Sequence, residues 1–309
     1  MPCLKSLLWA KIGLSAIYGG IECSAGKKFG GNNMKFSKMH GIGNDYIYVN
    51  GFEEKLTNPE ALSIVLSDRR TGIGGDGLIL ILPSEKADFR MQMFNADGSE
   101  GKMCGNGIRC VGKYVYDRGL TKKTDITVET LSGLRRLTLF PGGDGKIEKV
   151  RVWMGVPRFS DTDEISDLPE KAFPARLSSN GETFPFYSVS MGNPHTVTIV
   201  KDVDTFDVEK HGKNIQGLSQ FPESVNVEFV EEVSDSVIKM RVYERGSGET
   251  LACGTGACAS AAVMMRLGKL NKTAKVVLLG GTLEIEWLED GIYMTGPAAH
   301  VFDGEMNIN

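Results

Sequence analysis

Phe94-Asn-Ala-Asp-Gly-Ser-Glu-Gly-Lys-Met-Cys104-Gly-Asn-Gly107 and Tyr243-Glu-Arg-Gly-Ser-Gly-Glu-Thr-Leu-Ala-Cys253-Gly-Thr-Gly256 are one stretch of sequence written twice. An aromatic residue, a glutamate, a cysteine and two glycines coincide without a gap, at an offset of 253 − 104 = 149. The offset recurs upstream, where Gly43-Asn44 falls on Gly192-Asn193. It recurs downstream, where Ser132 falls on Gly281, each at the tip of a hairpin-like stretch. Three matches in register outweigh the competing reading, two unrelated domains with incidental similarity. An internal duplication is therefore the first constraint on the fold.

Both halves read alike. Short alternating strands such as Thr282-Leu-Glu-Ile-Glu-Trp287 are bounded by Gly, Asp and Ser turns. A single helix interrupts them, over residues 105–118 and 254–267. The second helix is small and apolar nearly all round, the pattern of a helix buried on every side. The predicted class is α+β: two pseudo-symmetric domains, each a mostly antiparallel, barrel-like sheet wrapped around a central helix. The halves are expected at 34–149 and 150–297, with 298–309 returning to the first. A cleft between them is a favoured place for a ligand.

Composition narrows the function. The 309 residues carry 35 Lys or Arg and 39 Asp or Glu, a net charge of −4, which argues against nucleic-acid partners. Apolar runs such as 78–82 are strand-sized, far short of the roughly 18 residues that cross a bilayer. Six cysteines are too sparse for a disulfide scaffold, and none forms a C-x-x-C pair, so no metal site is expected. Cys110 and Cys258, a turn or two into helices, read as small buried hydrophobes. In residues 1–33 the apolar run Leu7-Leu8-Trp9 is cut short by Lys11, and no secretory core develops. The expectation is a poorly ordered extension or translated DNA upstream of a start at Met34, on a cytoplasmic protein.

Cys104 and Cys253 each precede Gly-x-Gly at the start of a helix. A helix N-terminus presents unpaired N–H groups and partial positive charge. It lowers the pKa of a nearby thiol and offers donors to a carboxylate, with glycines allowing close approach. Two such ends on one cleft suit stereoinversion at a carbon alpha to a carboxylate. One thiolate takes the proton from one face and the opposite thiol returns one to the other. Backbone donors stabilise the charge that develops, as an oxyanion hole does. The scheme requires no cofactor, and two duplicated cysteines make pyridoxal phosphate superfluous.

The motifs His40-Gly-Ile-Gly-Asn44-Asp, Phe94-Asn-Ala-Asp-Gly-Ser, Met103-Cys-Gly-Asn-Gly, Gly192-Asn-Pro-His195, Tyr243-Glu-Arg-Gly and Ala252-Cys-Gly-Thr-Gly-Ala-Cys resemble the diaminopimelate epimerase family, over about residues 34–305. The resemblance implies a cofactor-independent two-base enzyme that interconverts LL- and meso-diaminopimelate in lysine biosynthesis, probing a small amino-acid substrate as a homodimer. It implies catalytic thiols at Cys104 and Cys253 and carboxylate-binding helix ends at Gly105-Asn106 and Gly254-Thr255. It implies substrate contacts at Asn44, Asn95, Asn193, Asn226, Glu244 and Arg245, with His195 and Glu244 tuning the thiols. Arg245 suits a distal carboxylate through its fork of donors. Some family members carry a glutamine where this chain has Gly77, the internal twin of Asn226 (77 + 149 = 226).

Other readings compete. Proline racemases and hydroxyproline epimerases are similar, but a cyclic amino acid has no distal end for Arg245 to hold. A redox-sensing or metal-buffering protein would also use paired thiols, and oxidation of the pair is expected to abolish activity reversibly. Gly72-Ile-Gly-Gly-Asp-Gly77 fits a dinucleotide-binding string but has a helix-like stretch before it and a strand after it, the reverse of what such a site needs. His40, His211 and His300 read as structural or surface residues, and the duplicated Glu100 and Glu249 are left without a role.

Overall fold

The offset of 149 governs the architecture of the computed structural model, which describes residues 33–160 and 173–308. The first half runs β1 (Asn33–Gly41), β2 (Asn44–Asn50), α1 (Pro59–Ser67), β3 (Gly77–Leu82), β4 (Phe89–Asn95), β5 (Glu100–Gly101), α2 (Gly105–Asp117), β6 (Asp125–Thr130), β7 (Gly133–Pro141) and β8 (Ile147–Gly155). After β9 (Arg158–Phe159) and β10 (Ala175–Ser179) come β11 (Glu182–Ser190), β12 (Pro194–Ile199), α3 (Val208–Gln216), β13 (Asn226–Ser234) and β14 (Val237–Glu244). The second half continues with β15 (Gly248–Thr250), α4 (Gly254–Arg266), β16 (Thr273–Leu278), β17 (Gly281–Leu288) and β18 (Gly291–Pro297), and the chain closes with β19 (Ala299–Asn307). Shifted by 149, β1, α1 and α2 land on β11, α3 and α4 residue for residue (33 + 149 = 182, 59 + 149 = 208, 105 + 149 = 254).

Pairing repeats as well. β1–β2 and β11–β12 are antiparallel, whereas β2–β3 and β12–β13 are parallel, as are β4–β6 and β14–β16. The sheet is thus mostly antiparallel, with parallel pairs only where a helix lies between the strands. Parallel neighbours need a crossover longer than a hairpin turn.

One helix per half is corrected to two. α1 and α3 are the additions, and α3 is hard to see in sequence because Val208-Glu-Lys-His-Gly-Lys-Asn-Ile-Gln is mostly polar. It buries only Val208, His211, Gly212 and Ile215. Its start is fixed by Asp207, whose carboxylate accepts from the Lys210 N–H at 3.1 Å.

The central helices are enclosed as expected. Every residue of α4 except Thr255 and Arg266 is buried, and α2 is buried from Gly105 through Lys113. Small side chains make this possible: a Cβ at Gly112 would lie 2.8 Å from Leu139 on β7. Lys113 keeps its charge tolerable inside by donating to the Ile147 carbonyl at 2.6 Å and pairing with Asp117 at 2.7 Å.

β8 is laddered antiparallel to β7 on one side and to β18 on the other, so it crosses the expected boundary between residues 149 and 150. β19 returns to pair with β1. Lys35–Met306 forms one compact unit. The expected extension, apart from Asn33, lies outside the described residues. Among the described residues no helix is long and apolar enough to cross a membrane.

Candidate active site

Cys104 and Cys253 occupy equivalent places. Each is the extended residue before a central helix, at φ −123°, ψ 117° and φ −115°, ψ 109°. Each sulfur caps its helix by accepting a backbone N–H from three residues on, Gly107 at 3.3 Å and Gly256 at 3.4 Å. Serine or aspartate usually fills that role; here it brings a sulfur to the positive end of a helix. Both thiols are free. Cys110 and Cys258 are fully buried, and burial pushes the Cys110 thiol up to about 11 and that of Cys258 higher still.

In the first half the Asn44 amide is held in one orientation. Its Nδ2 donates to Asp76 at 2.7 Å, which turns Oδ1 toward Cys104 to accept from the thiol at 3.2 Å. Asp76 in turn accepts from the Asp45 N–H at 3.0 Å and pairs with Arg69 at 2.9 Å. The Tyr46 phenol lies beside Cys104 and Asn44. Burial, with Cys104 and Asp76 alongside, pushes its phenol well above the ordinary value, so it remains a donor. Burial also raises the Cys104 thiol; the Gly107 and Asn106 N–H groups and the Arg109 charge pull it back, while Glu244 pushes it up.

In the second half Thr255 Oγ1 lies 3.5 Å from the Cys253 sulfur and accepts from Asn193 Nδ2 at 3.4 Å. Asn193 Oδ1 is 3.1 Å from His195 Nε2, and His195 Nδ1 is 2.6 Å from Glu228 Oε1. His195 and Glu228 are both completely buried. Glu244, at the end of β14, accepts from the Thr250 hydroxyl, and burial raises its carboxyl. Burial raises the Cys253 thiol well above its ordinary value, and the Glu244 and Glu228 carboxylates push the same way.

The two helix tips meet. Asn106 Nδ2 donates to the Ala252 carbonyl at 3.0 Å, joining the first residues of α2 to the residue before Cys253. A Cβ at Gly105 would lie 3.8 Å from the Gly254 Cα and 2.9 Å from Met294 Cε, so glycine is what lets the tips approach. Asn44, Cys104, Gly105 and Asn106 are thereby brought together with Cys253, Gly254, Thr255, Asn193, His195 and Glu244.

Three predicted residues are engaged differently. Asn226 uses its amide on backbone, donating to the Pro194 carbonyl at 3.0 Å and accepting from the Arg245 N–H at 2.9 Å. It braces the turn that carries Arg245, whose exposed guanidinium reaches the Glu223 carbonyl at 3.4 Å. Asn95 turns its amide to Ser99 Oγ at 2.9 Å. Gly77 has no room for a donor, since a Cβ there would sit 2.0 Å from the Phe94 carbonyl oxygen. Glu249 pairs with Arg241 at 2.6 Å and Glu100 accepts from Gln92 at 2.8 Å, both local roles.

Sequence reasoning missed Tyr46, Asp76, Glu228 and Arg109. The offset held a signal for two of them: Tyr46 is the twin of His195 (46 + 149 = 195), and Arg109 is the twin of Cys258 (109 + 149 = 258). Outside the site, Asp202, Asp204 and Glu231 cluster closely enough to hold a cation, but Lys239 and the Val203 N–H already serve Asp204 and Glu231. A cavity of about 500 Å³, lined in part by Lys35, Arg118 and Asp303, contains none of the predicted site residues.

Chemically, two thiols at touching helix tips can work on opposite faces of one carbon, with the free N–H groups of those tips available to its carboxylate. The family model described as diaminopimelate epimerase matches residues 36–160 and 187–301. A diaminopimelate epimerase of Acetivibrio thermocellus is 52% identical over 279 residues, covering 89% of this chain and 99% of that protein. One from Methanococcus maripaludis is 51% identical over 279 residues, covering 89% of this chain and all of that protein. In fold the chain is similar to a hydroxyproline epimerase from Agrobacterium vitis, with a TM-score of 0.69 at 15% identity over 91% of this chain and 94% of that one. It is likewise similar to a PhzF-family phenazine biosynthesis protein from Bacillus anthracis, with a TM-score of 0.65 at 20% identity over 90% of this chain and all of that one. With the family model and these relatives spanning both halves, the chain belongs to the diaminopimelate epimerase family.

Proposed function

We propose that this protein interconverts LL- and meso-2,6-diaminopimelate by a two-base route, with Cys104 and Cys253 as the catalytic pair. One observation carries the reading: two cysteines cap two central helices in the same conformation, and the helix tips join through Asn106 and Ala252.

The α-carbon sits between the sulfurs. The ionised thiol takes the α-proton from one face, and the opposite thiol delivers its own proton to the other. The first sulfur ends protonated and the second ionised, so charge is conserved. The N–H groups at Gly105-Asn106 and Gly254-Thr255 hold the α-carboxylate and take up the charge that grows on it. Asn44 and Asn193, oriented by Asp76 and His195, serve the remaining polar groups of the substrate, while Asn226 acts by bracing the turn that carries Arg245. His195 and Glu244 tune Cys253. The scheme asks nothing of a metal or organic cofactor.

Heavy water tests the reaction. Incubation with LL-diaminopimelate is expected to give meso product carrying deuterium at the inverted carbon; inversion without deuterium, or no inversion, defeats the two-base reading. Arg245 is assigned to the distal carboxylate, which distinguishes diaminopimelate from a cyclic amino acid. Arg245→Ala is therefore expected to raise KM by about tenfold, the equivalent of about 1.4 kcal/mol of binding, with a smaller change in kcat. An unmoved KM removes Arg245 from the substrate. The same reading takes the protein to be a cytoplasmic homodimer, and a monomeric mass by light scattering counts against the dimer.

A further inference from the structure

We propose, on the two-thiol reading above, that Cys104 is the thiol that ionises first, the resting base of the pair, and that Arg109 is the positioning residue that makes it so. The argument begins with a buried cation. Arg109 lies one turn into α2, is completely buried, and among the described residues pairs with no carboxylate. Its Nε donates to the Pro297 carbonyl at 3.1 Å and its Nη1 to the Gly105 carbonyl at 3.1 Å, the residue next to Cys104. Its Nη2 has no partner, and a Cβ at Gly41 would stand 2.8 Å from it.

A buried guanidinium without a counter-charge is costly, and an anion close by offsets the cost. The ionisable groups on which its charge acts most are Cys110, Cys104, Tyr48 and Cys258. Three of these are fully buried. Only Cys104 is partly exposed, and only Cys104 caps a helix with its sulfur. A thiolate at Cys104 supplies the missing counter-charge.

The duplication makes the contrast sharp. The twin of Arg109 is Cys258, so the second half has no such cation. The twins of Glu244 and Glu228 are Asn95 and Ile79 (244 − 149 = 95, 228 − 149 = 79), so the first half has no such carboxylates. Cys253 therefore faces Glu244 and Glu228, the latter paired with His195, with only Thr255 Oγ1 and the Gly256 N–H in support. Cys104 faces Arg109 from α2, Tyr46 from β2, Asp76 through Asn44, and Glu244 from the opposite half. The Asn44 carbonyl and Glu244 favour its thiol; the Gly107 and Asn106 N–H groups and the full positive charge of Arg109 favour its thiolate. Half-sites alike in backbone thus differ in charge: Glu244 acts on both sulfurs, but Arg109 supports Cys104 alone and Glu228 opposes Cys253 alone.

Alkylation by iodoacetamide across a pH series, read at each cysteine by peptide mass spectrometry, tests the assignment in the full-length protein. Accessibility sets the plateau rate, whereas ionisation sets the midpoint. In the unmodified protein the Cys104 midpoint is expected below that of Cys253; the reverse order overturns the proposal whatever the variants do. Arg109→Met is expected to raise the Cys104 midpoint by about one pH unit, slowing its alkylation at neutral pH about tenfold, with Cys253 unmoved. Arg109→Lys keeps the charge and is expected to keep the midpoint even though it loses the fork of donors. A merely structural arginine would leave the midpoint unchanged in both variants, and that result also overturns the proposal. Deuterium exchange into LL-diaminopimelate is read on the same preparations. Exchange with the wrong order removes the Arg109 assignment alone, whereas the expected order without exchange removes the epimerase reading on which the word base depends.

Discussion

Cys104→Ala and Cys253→Ala are each expected to lose at least about a thousandfold in epimerisation, the scale on which positioned acid–base groups act. Inversion needs both faces of the carbon served, so neither thiol can substitute for the other. The double variant is expected to be scarcely worse than either single one, because groups that act as a unit lose their effect together. Residual solvent exchange in a single variant is confined to one configuration, since the remaining sulfur addresses one face. Both variants should remain folded, with the urea midpoint lowered only by loss of the helix cap each sulfur supplies, about 0.5–2 kcal/mol. Turnover within tenfold of the parent in either variant removes that cysteine from the chemistry.

Glu228→Leu is expected to be the most destabilising substitution near the site, at about 3–5 kcal/mol, the usual result of stripping one partner from a buried pair. His195 and Glu228 are both fully enclosed, 2.6 Å apart, and both ring nitrogens of His195 face acceptors. Leucine leaves the ring without the partner at Nδ1 and frees the Asn193–Thr255 chain that runs to Cys253. Glu228→Gln keeps the volume and a hydrogen-bonding group, so its loss should be smaller. The comparison is a pair of urea unfolding curves. An unchanged midpoint for Glu228→Leu shows that the pair supports neither fold nor site.

The parts legible in sequence were those with a periodic or repeated signature. The duplicated Cys-Gly-x-Gly located both helix starts, and the small apolar run after Cys253 announced a buried helix, as α4 is. The glycine string 72–77 was correctly denied a dinucleotide role: α1 precedes it and β3 follows it. What the sequence hid were single charged residues inside the core. Arg109 sits in α2 between Ile108 and Cys110, and Glu228 within a strand between Val227 and Phe229, all four neighbours completely buried. A lone charge in such a run has no pattern of its own. Its meaning depends on which atoms the fold brings to it: the Gly105 and Pro297 carbonyls for Arg109, and His195 for Glu228. Gly77 was legible as a missing donor, but the reason, the Phe94 carbonyl in the path of any side chain, exists only in three dimensions.

β8 has ladders on both flanks, to β7 and to β18. The halves are therefore stitched by a shared ribbon instead of hung on a slack tether. Gaping of the mouth between them has to be accommodated as bend and twist along that ribbon, with its rungs intact, and severing the gene into two pieces would leave one fragment with a raw edge and the other without its seam.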